Sequence, residues 1–191
     1  MKDASENYKA SYFFIFISVV FIGAVVILVP VISLTSSNNT KSNHIVITDG
    51  LIYMHGEDSP YNGRVLDTLE NKIIEYDVVN GLKHGEFKIC TLNGNYSVYG
   101  FVEKNKNVGV WKYFYENGKL ESIGGFQDDK PMGKWTWYYQ NGKLKSEGIY
   151  ILGQPEGRWI TYDSEGFLVS IIHYIKGEVI SEIKLSKPKM V

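Results

Sequence analysis

The side chains best able to do chemistry in this sequence are its four histidines, and they are scattered. They are His44, His55, His84 and His173. None has a partner at a spacing that brings two ligands to one metal, as His-Glu-x-x-His does. A lone histidine is weak evidence for a general base, and His84 lies in a glycine-flanked stretch typical of a turn. We therefore interpret His84 as a surface turn residue.

An acidic cluster follows His55, where Glu57 and Asp58 could offer carboxylate oxygens to a cation. Hard cations need several convergent oxygen ligands, and no calcium-loop pattern is present, so a solvated loop is the favoured interpretation. The sequence also has no Gly-x-Ser-x-Gly elbow and no glycine-rich phosphate loop ending in Lys-Ser/Thr. These patterns predict no enzyme, no metal site and no cofactor.

The glycines mark a repeat of 24 residues instead. Two glycine columns share this register. The first is Gly85, Gly109, Gly133 and Gly157, and the second is Gly94, Gly118, Gly142 and Gly166. An aromatic column, Phe87, Trp111, Trp135 and Trp159, follows the first glycines by two positions, and Cys90, Phe114, Tyr138 and Tyr162 follow them by five. Such a register predicts an array of small units rather than a globular enzyme domain.

Each unit has the pattern of an aromatic strand, a turn, an apolar strand and a second turn. Asn117-Gly118 and its equivalents favour a tight two-residue hairpin turn. The return over residues 127–133 contains Pro131 and Gly133, which suit a longer loop between hairpins. Residues 178–185 alternate charged and apolar side chains, as a closing edge strand does. We predict an all-β fold, an elongated antiparallel β-hairpin meander.

The runs over residues 109–120 and 133–144 resemble the MORN repeat, in the bacterial variant often labelled YwqK-type toxin-antitoxin antitoxins. Residues 49–53, 60–64 and 80–85 also look like the start of such proteins. The resemblance covers roughly residues 49–177 and implies a MORN-like repeat array there. It implies a scaffold or binding surface rather than one activity, because a fold does not specify a function.

A long apolar stretch precedes the array. No Asp, Glu, Lys or Arg occurs between Ala10 and Thr40. Residues 12–34 would span about 35 Å as a helix at ~1.5 Å per residue, and a bilayer core needs roughly 30 Å. The alternative, a cleaved signal peptide, has an apolar stretch of about 7 to 15 residues and a small-x-small cleavage site. We predict a single transmembrane helix over residues 12–34.

The remaining segments follow from this anchor and from the array. They are an N-terminal tail at 1–11, a polar tether and first strand region at 35–48, and a C-terminal capping strand and tail at 178–191. Lys2 and Lys9 precede the helix and Lys41 follows it, and positive charges near a membrane favour the cytoplasmic side. We therefore expect a single-pass membrane protein with its repeats on the non-cytoplasmic side, in the periplasm of a Gram-negative cell.

Composition limits the partners. The formal net charge is −1, whereas nucleic-acid binding usually needs a basic stripe, so no nucleic acid is predicted. Aromatic residues make up 14% of the chain, which suits a sheet stabilised by cross-strand aromatic pairs. The single cysteine, Cys90, cannot form an internal disulfide, and we interpret it as a small buried hydrophobe.

Two aromatic columns fade along the array while the tryptophan column persists. One runs Tyr113, Trp137, Thr161 and the other Tyr115, Tyr139, Asp163. Residues two apart on a strand share a face, so we hypothesise a partner-binding surface built from Tyr113, Tyr115, Trp137 and Tyr139. The alternative is that these rings cover glycine-rich backbone, since single exposed aromatics are ordinary.

The sequence does not establish on which face of the sheet each packing column lies. Residues three apart point to opposite sides of a regular strand, so the Trp111 and Phe114 columns cannot share one core without a bulge or strong twist. Apolar residues on both faces would favour self-association or docking onto a partner.

Three functional classes follow. The leading one is a membrane-anchored, non-enzymatic protein-interaction or scaffold module. The alternative is an antitoxin-like or immunity-like protein that neutralises a specific partner. An enzyme would need a convergent polar pocket, which the sequence does not indicate.

Overall fold

The computed structural model of the chain describes residues 45–186, and this part is all-β. Eleven strands form one antiparallel sheet in chain order, and two further strands form a separate hairpin. The hairpin consists of β1 (Ile45–Thr48) and β2 (Leu51–Met54). The large sheet consists of β3 (Gly63–Leu69), β4 (Lys72–Val79), β5 (Leu82–Thr91), β6 (Tyr96–Glu103), β7 (Lys106–Phe114), β8 (Leu120–Gln127), β9 (Lys130–Tyr138), β10 (Leu144–Ile151), β11 (Gln154–Tyr162), β12 (Leu168–Ile175) and β13 (Glu178–Lys184). The predicted antiparallel hairpin meander is confirmed over this range.

The predicted transmembrane helix at 12–34 and the tail at 1–11 lie outside the described residues. Within residues 45–186, no helix has the length and apolar character needed to cross a membrane. Of the predicted tether and first strand region, the described part is β1. The membrane anchor stays a prediction.

The Asn-Gly pairs lie in three-residue loops, so the prediction of two-residue turns there is wrong. The Tyr115 amide donates to the Lys119 carbonyl (2.9 Å), and the Gly118 amide donates to the Tyr115 carbonyl (2.8 Å). Asn117 Oδ1 accepts a bond from the Lys119 amide at 3.0 Å, and such a side-chain bond stabilises the turn locally. Only Gly118, with φ +79°, is left-handed in this loop, as in a type I turn followed by a bulge.

The returns between hairpins are the two-residue turns, so the longer loop predicted over residues 127–133 is wrong. Gln127 pairs with Lys130, which leaves Asp128 and Asp129 as the loop, with φ +49° and +65°. Two successive positive φ values characterise the type I′ turn, whose twist matches that of the flanking strands. Pro131 is the second residue of β9, close to the start of the strand, where proline is tolerated.

Every strand that carries the first glycine column has a bulge at that glycine. Ile123 of β8 pairs with Thr136 of β9, and Gly125 pairs with Met132. Between these two pairs β8 has one residue and β9 has three. Gly133 lies in the longer stretch with φ +74°, a conformation that costs residues with a side chain roughly 1–2 kcal/mol. The same register shift occurs at Gly85, Gly109 and Gly157. These bulges explain the spacing of the column.

The two aromatic columns lie on opposite faces of the large sheet. Trp111, Trp135 and Trp159 are 3%, 6% and 2% exposed and lie on one side, which we name the ladder face. Phe114 is half-buried on the other side, beside Tyr96, and we name that side the open face. The facing question is thereby settled: both sides of the sheet carry aromatic rings.

Candidate interaction surfaces

The residues that could do chemistry are dispersed in the structure. His84 is exposed, as predicted, but it lies in β5 rather than in a turn. His55 is also exposed, whereas His173 is half-buried in β12 opposite Arg158 and Ser181. His44 lies outside the described residues. In the part of the chain that the structure describes, no three His, Cys, Asp or Glu side chains are grouped as a metal site. The absence of enzymatic activity stays a prediction.

The ladder face is lined by a continuous row of aromatic rings. Successive stacked or tilted rings have centroids 5.5–6.4 Å apart. They are Tyr76, Phe87, Trp111, Tyr113, Trp135, Trp137 and Trp159. Phe126, Tyr150 and Tyr174 meet the row edge-on. Both arrangements are favoured by the ring quadrupole, so this row forms the core of the array.

Three of the four ladder tryptophans lie flat on a glycine of the preceding strand. A Cβ atom added to Gly100, Gly124 or Gly148 would overlap the indole of Trp111, Trp135 or Trp159, respectively. These glycines form a third column with the 24-residue spacing, which sequence reasoning missed although the spacing is visible in the chain. The fourth position of that column is Ile172, and the residue that follows it by 11, where the tryptophan would stand, is Ile183. Glycine and tryptophan are thus lost together.

The four residues of the hypothesised partner surface have two different environments. Tyr113 is 6% exposed and stacks between Trp111 and Trp135. Trp137 is half-buried between Trp135 and Trp159. The ring of Tyr113 therefore lies within the ladder rather than on an exposed surface, while Trp137 retains partial exposure.

Tyr115 and Tyr139 connect one repeat to the next. The Tyr115 hydroxyl donates to the Tyr138 carbonyl at 2.6 Å, and the Tyr139 hydroxyl donates to the Tyr162 carbonyl at 2.8 Å. Both rings are partly exposed, and Lys145 Nζ lies 5.6 Å from the centroid of the Tyr139 ring. The next position in this column is Asp163, after which no further complete hairpin follows in the sheet. The end of the array explains why the column fades, and the partner-binding role of these residues stays a prediction.

Replacing Tyr139 with phenylalanine is expected to lower the free energy of unfolding by about 1 kcal/mol, because one hydrogen bond between repeats is lost. The measurement is denaturant unfolding of the full-length chain in detergent. Tyr138→Phe is the matched control, since no hydrogen bond of the Tyr138 hydroxyl is present among the described residues. Equal effects of the two substitutions would contradict the role of Tyr139 as a link.

The open face carries an aromatic cluster that sequence reasoning missed. Tyr96, Tyr99, Phe101 and Phe114 contact one another with ring centroids 5.6–6.2 Å apart. Tyr96 is 44% exposed and Phe101 is 38% exposed. The register shift beside Tyr96 places its ring on the same side as that of Tyr99. We name these four residues the open-face cluster.

This cluster is a departure from the repeat. The residues equivalent to Tyr96, Tyr99 and Phe101 in the three later units are aliphatic, glycine, acidic or histidine. They are Leu120, Ile123 and Gly125, then Leu144, Glu147 and Ile149, then Leu168, Ile171 and His173. A single unit has therefore replaced small, aliphatic or polar residues with large exposed rings. A comparison of equivalent positions in the units reveals this departure from the sequence alone. It does not reveal the face of the sheet on which each ring lies.

Charged side chains border the open-face cluster. Tyr99 donates its hydroxyl to Glu86 Oε1 at 2.8 Å, and Lys88 Nζ lies 2.6 Å from Glu86 Oε2. These bonds, first that from Lys88, hold the pKa of the Glu86 carboxyl below its usual value. Lys112 lines the same shallow groove of about 400 Å³ and forms no ion pair with any residue in the 45–186 range. The groove thus combines aromatic rings with an available positive charge.

Two segments match the family model described as the MORN repeat variant. They are residues 107–128 and 133–151, which cover the β7–β8 hairpin and most of the β9–β10 hairpin. No curated protein matches the chain. The match supports MORN-type repeats in these two hairpins, in agreement with the resemblance of the sequence runs there.

Proposed function

We propose that this chain is a non-enzymatic interaction module that residues 12–34 anchor in a membrane and whose repeats bind another protein. The observation that supports this proposal most is the open-face cluster, in which two exposed rings, Tyr96 and Phe101, belong to one group of contacting aromatic side chains. MORN repeats commonly act as protein- or membrane-interaction modules. The repeats are proposed to lie on the non-cytoplasmic side, as the lysine distribution around the anchor favours.

The open-face cluster has the chemistry of a protein interface centre. Interface centres are enriched in tyrosine, phenylalanine and other aromatic residues, and their rims are polar. A few such anchors carry most of the binding energy. Tyr96, Tyr99, Phe101 and Phe114 supply the rings, and Lys88 and Lys112 supply part of the rim.

Tyr115, Trp137 and Tyr139, together with the buried Tyr113, form a second proposed surface. Its rings are less accessible to a partner. The hydroxyls of Tyr115 and Tyr139 already donate hydrogen bonds to backbone carbonyls of the next repeat, and Tyr113 is buried. We therefore rank it behind the open-face cluster, and both surfaces enter the same experiment.

Affinity capture from gently solubilised native membranes tests the proposal. The bait is the tagged full-length chain, and any stoichiometric partner is then purified and its binding measured directly. Wild type and Leu152→Ser, a matched change at another exposed apolar side chain (57% exposed), are expected to bind equally. The double variant Tyr96→Ser/Phe101→Ser is expected to lose at least tenfold in affinity, since removing hot-spot rings costs more than 1 kcal/mol. It is expected to stay folded with a melting temperature only a few degrees lower, because both rings are exposed.

The other outcomes of this experiment distinguish the alternative surfaces and functions. Loss of binding in Tyr115→Ser/Tyr139→Ser alone, without unfolding, would move the interface to the second surface. Full binding by both double variants would refute both surfaces, and failure to recover any partner would count against a protein-binding module. A captured toxin whose activity the chain neutralises would identify the antitoxin-like or immunity-like alternative.

A further inference from the structure

The large sheet ends at an exposed strand, β13. In the described part of the chain, β13 pairs with β12 on one side and with no strand on the other. All of its seven residues are exposed, and Val179, Ile180 and Ile183 are 57%, 56% and 54% exposed. An edge of this kind presents unpaired backbone N–H and C=O groups to any strand that can align with it.

β13 is also half of a repeat unit. It occupies the place that β7, β9 and β11 occupy in the preceding units, and each of those strands is paired on both sides. β13 lacks the second strand of its hairpin within the described residues. β13 therefore corresponds to an interior strand of the array, but its outer edge has no partner strand among the described residues.

The sequence of β13 is complementary to itself in the antiparallel direction. When two copies are aligned about Ser181, Glu178 of one copy lies opposite Lys184 of the other, and Val179 lies opposite Ile183. β13 has one extra residue, Ile180, in its pairing with β12, where Tyr174 pairs with Val179 and His173 pairs with Ser181. β11 also has a bulge against β10, yet at that bulge it pairs residue by residue with β12 on its outer side. With the same regular pairing on the outer side of β13, Ile180 lies opposite Glu182, and Ser181 faces its own copy. Opposite charges and apolar pairs directly across an antiparallel ladder stabilise it, whereas like charges destabilise it. No like charges meet in this register.

Charged residues on an edge strand ordinarily prevent pairing with another chain. On β13 they do not repel a second copy, because Glu178 and Lys184 of each copy meet the opposite charge in the other copy, and Glu182 lies opposite Ile180 rather than another acidic residue. Pairing about a two-fold axis also closes after two chains, whereas pairing of β13 with the other sheet edge, β3, would extend without limit. The register thus favours a dimer over a fibre.

We propose that β13 pairs antiparallel with β13 of a second copy about a two-fold axis at Ser181, so that one continuous sheet runs through a dimer. This inference goes beyond the proposed function, because it holds whether or not the open face binds a protein. The seven-residue contact is small, and we expect a dimer whose population depends on concentration.

Cysteine cross-linking tests the register. The background is the full-length chain in detergent with Cys90→Ser, which removes its one native cysteine. Residues directly opposite in an antiparallel pair have Cα atoms about 4.5–5.5 Å apart, within the roughly 4.4–6.8 Å that a disulfide spans. Ser181→Cys is therefore expected to form a disulfide-linked dimer on mild oxidation.

Neighbouring positions supply the controls. In this register Ile180 of one copy lies about 8 Å from Ile180 of the other, since two residues along a strand separate them at about 3.4 Å each. Ile180→Cys alone is expected to cross-link poorly, and a mixture of Ile180→Cys with Glu182→Cys is expected to cross-link well. Equal cross-linking at all three positions, or none at Ser181→Cys, would overturn the proposal.

A charge exchange tests the pairing without any covalent bond. Glu178→Lys and Lys184→Glu are each expected to weaken the dimer, because each places like charges opposite one another, and the double variant is expected to restore it. A mixture of the two single variants is expected to form heterodimers, measured by light scattering and by exchange of two fluorescent labels. Monomers in wild type at every concentration, or singles that dimerise as well as wild type, would overturn the proposal, and unchanged melting temperatures exclude misfolding as the cause.

Discussion

Replacing Trp135 with alanine is expected to lower the free energy of unfolding by about 3–5 kcal/mol, the usual cost of removing a large buried ring. The Trp135 ring contacts four other rings, and its Nε1 donates to the Gly125 carbonyl at 3.0 Å. The rings are Tyr113, Phe126, Trp137 and Tyr150. Because all four of these rings belong to the same sheet as Trp135, they cannot easily move together to close the cavity.

Denaturant unfolding of the full-length chain in detergent measures this loss. Tyr96→Ala, at a ring that is 44% exposed, is the control and is expected to cost about 1 kcal/mol or less, as exposed substitutions do. A similar small loss for Trp135→Ala would mean that the ladder is not the core of the array.

Gly124→Ala tests the same contact from the backbone side. A methyl group at Gly124 would overlap the Trp135 indole, and overpacking of this kind typically costs about 1–3 kcal/mol. In the Trp135→Ala background the same glycine substitution is expected to cost little, because the space is then empty. Additive losses in this double-mutant cycle would show that the cost of a methyl group at Gly124 does not come from its overlap with Trp135.

Alkaline pH is expected to unfold the chain steeply above about pH 10, the ordinary pKa of tyrosine. Burial raises the pKa of Tyr76 to about 12, with a smaller contribution from Asp67, and burial also raises the pKa values of Tyr113 and Tyr150. The folded state therefore keeps these phenols protonated while the unfolded state loses their protons. The stability is fully present below pH 10 and falls as pH rises, by about 1.4 kcal/mol per pH unit for each tyrosine.

One half-buried lysine has the opposite effect on the pH dependence of stability, over a limited pH range. Burial lowers the pKa of the half-buried Lys83, whose Nζ lies 4.9 Å from the centroid of the Tyr76 ring. Its folded state loses a proton before the unfolded state does, so it adds stability with rising pH only up to its ordinary pKa near 10.4. Above that value the three tyrosines act unopposed, with a combined slope of about 4 kcal/mol per pH unit.

Denaturant titrations between pH 8 and pH 12, both ends set by the ordinary tyrosine pKa of about 10, measure this slope. Tyr150→Phe is the matched control. The Tyr150 hydroxyl is buried without a hydrogen-bond partner in the described structure, so its removal is expected to leave stability at neutral pH unchanged or higher. The variant is expected to lose about one third of the alkaline slope, and an unchanged slope would contradict the burial of that phenol.

The repeat pattern was sufficient to predict the strands but not the turns. Hairpins follow from alternating apolar runs separated by glycine-rich turns, and both signals are local. The type of each turn depends on hydrogen bonds such as that from the Lys119 amide to Asn117 Oδ1. It also depends on which residues pair across strands, as Gln127 does with Lys130.

The candidate surfaces were harder to predict, because an aromatic residue can face a neighbour or solvent with the same spacing. Tyr113 and Tyr115 belong to columns that fade in the last unit, a pattern that we interpreted as a partner surface. In the structure Tyr113 lies inside the ladder and Tyr115 holds the next repeat. The end of the array gives a structural reason for the fading, and the partner-binding role of these residues stays a prediction. Tyr96 and Phe101 are more exposed, but the columns do not reveal this, because their unit departs from the repeat.

The 24-residue unit, the all-β class and the order of the strands could be predicted from the amino-acid sequence alone, because each depends on residues close together along the chain. The faces on which the rings lie and the glycines that lie beneath tryptophans became clear only in the folded chain. Those properties depend on register between strands and on a bulge in every unit. A shift of one residue in register turns a side chain from one face of a sheet to the other.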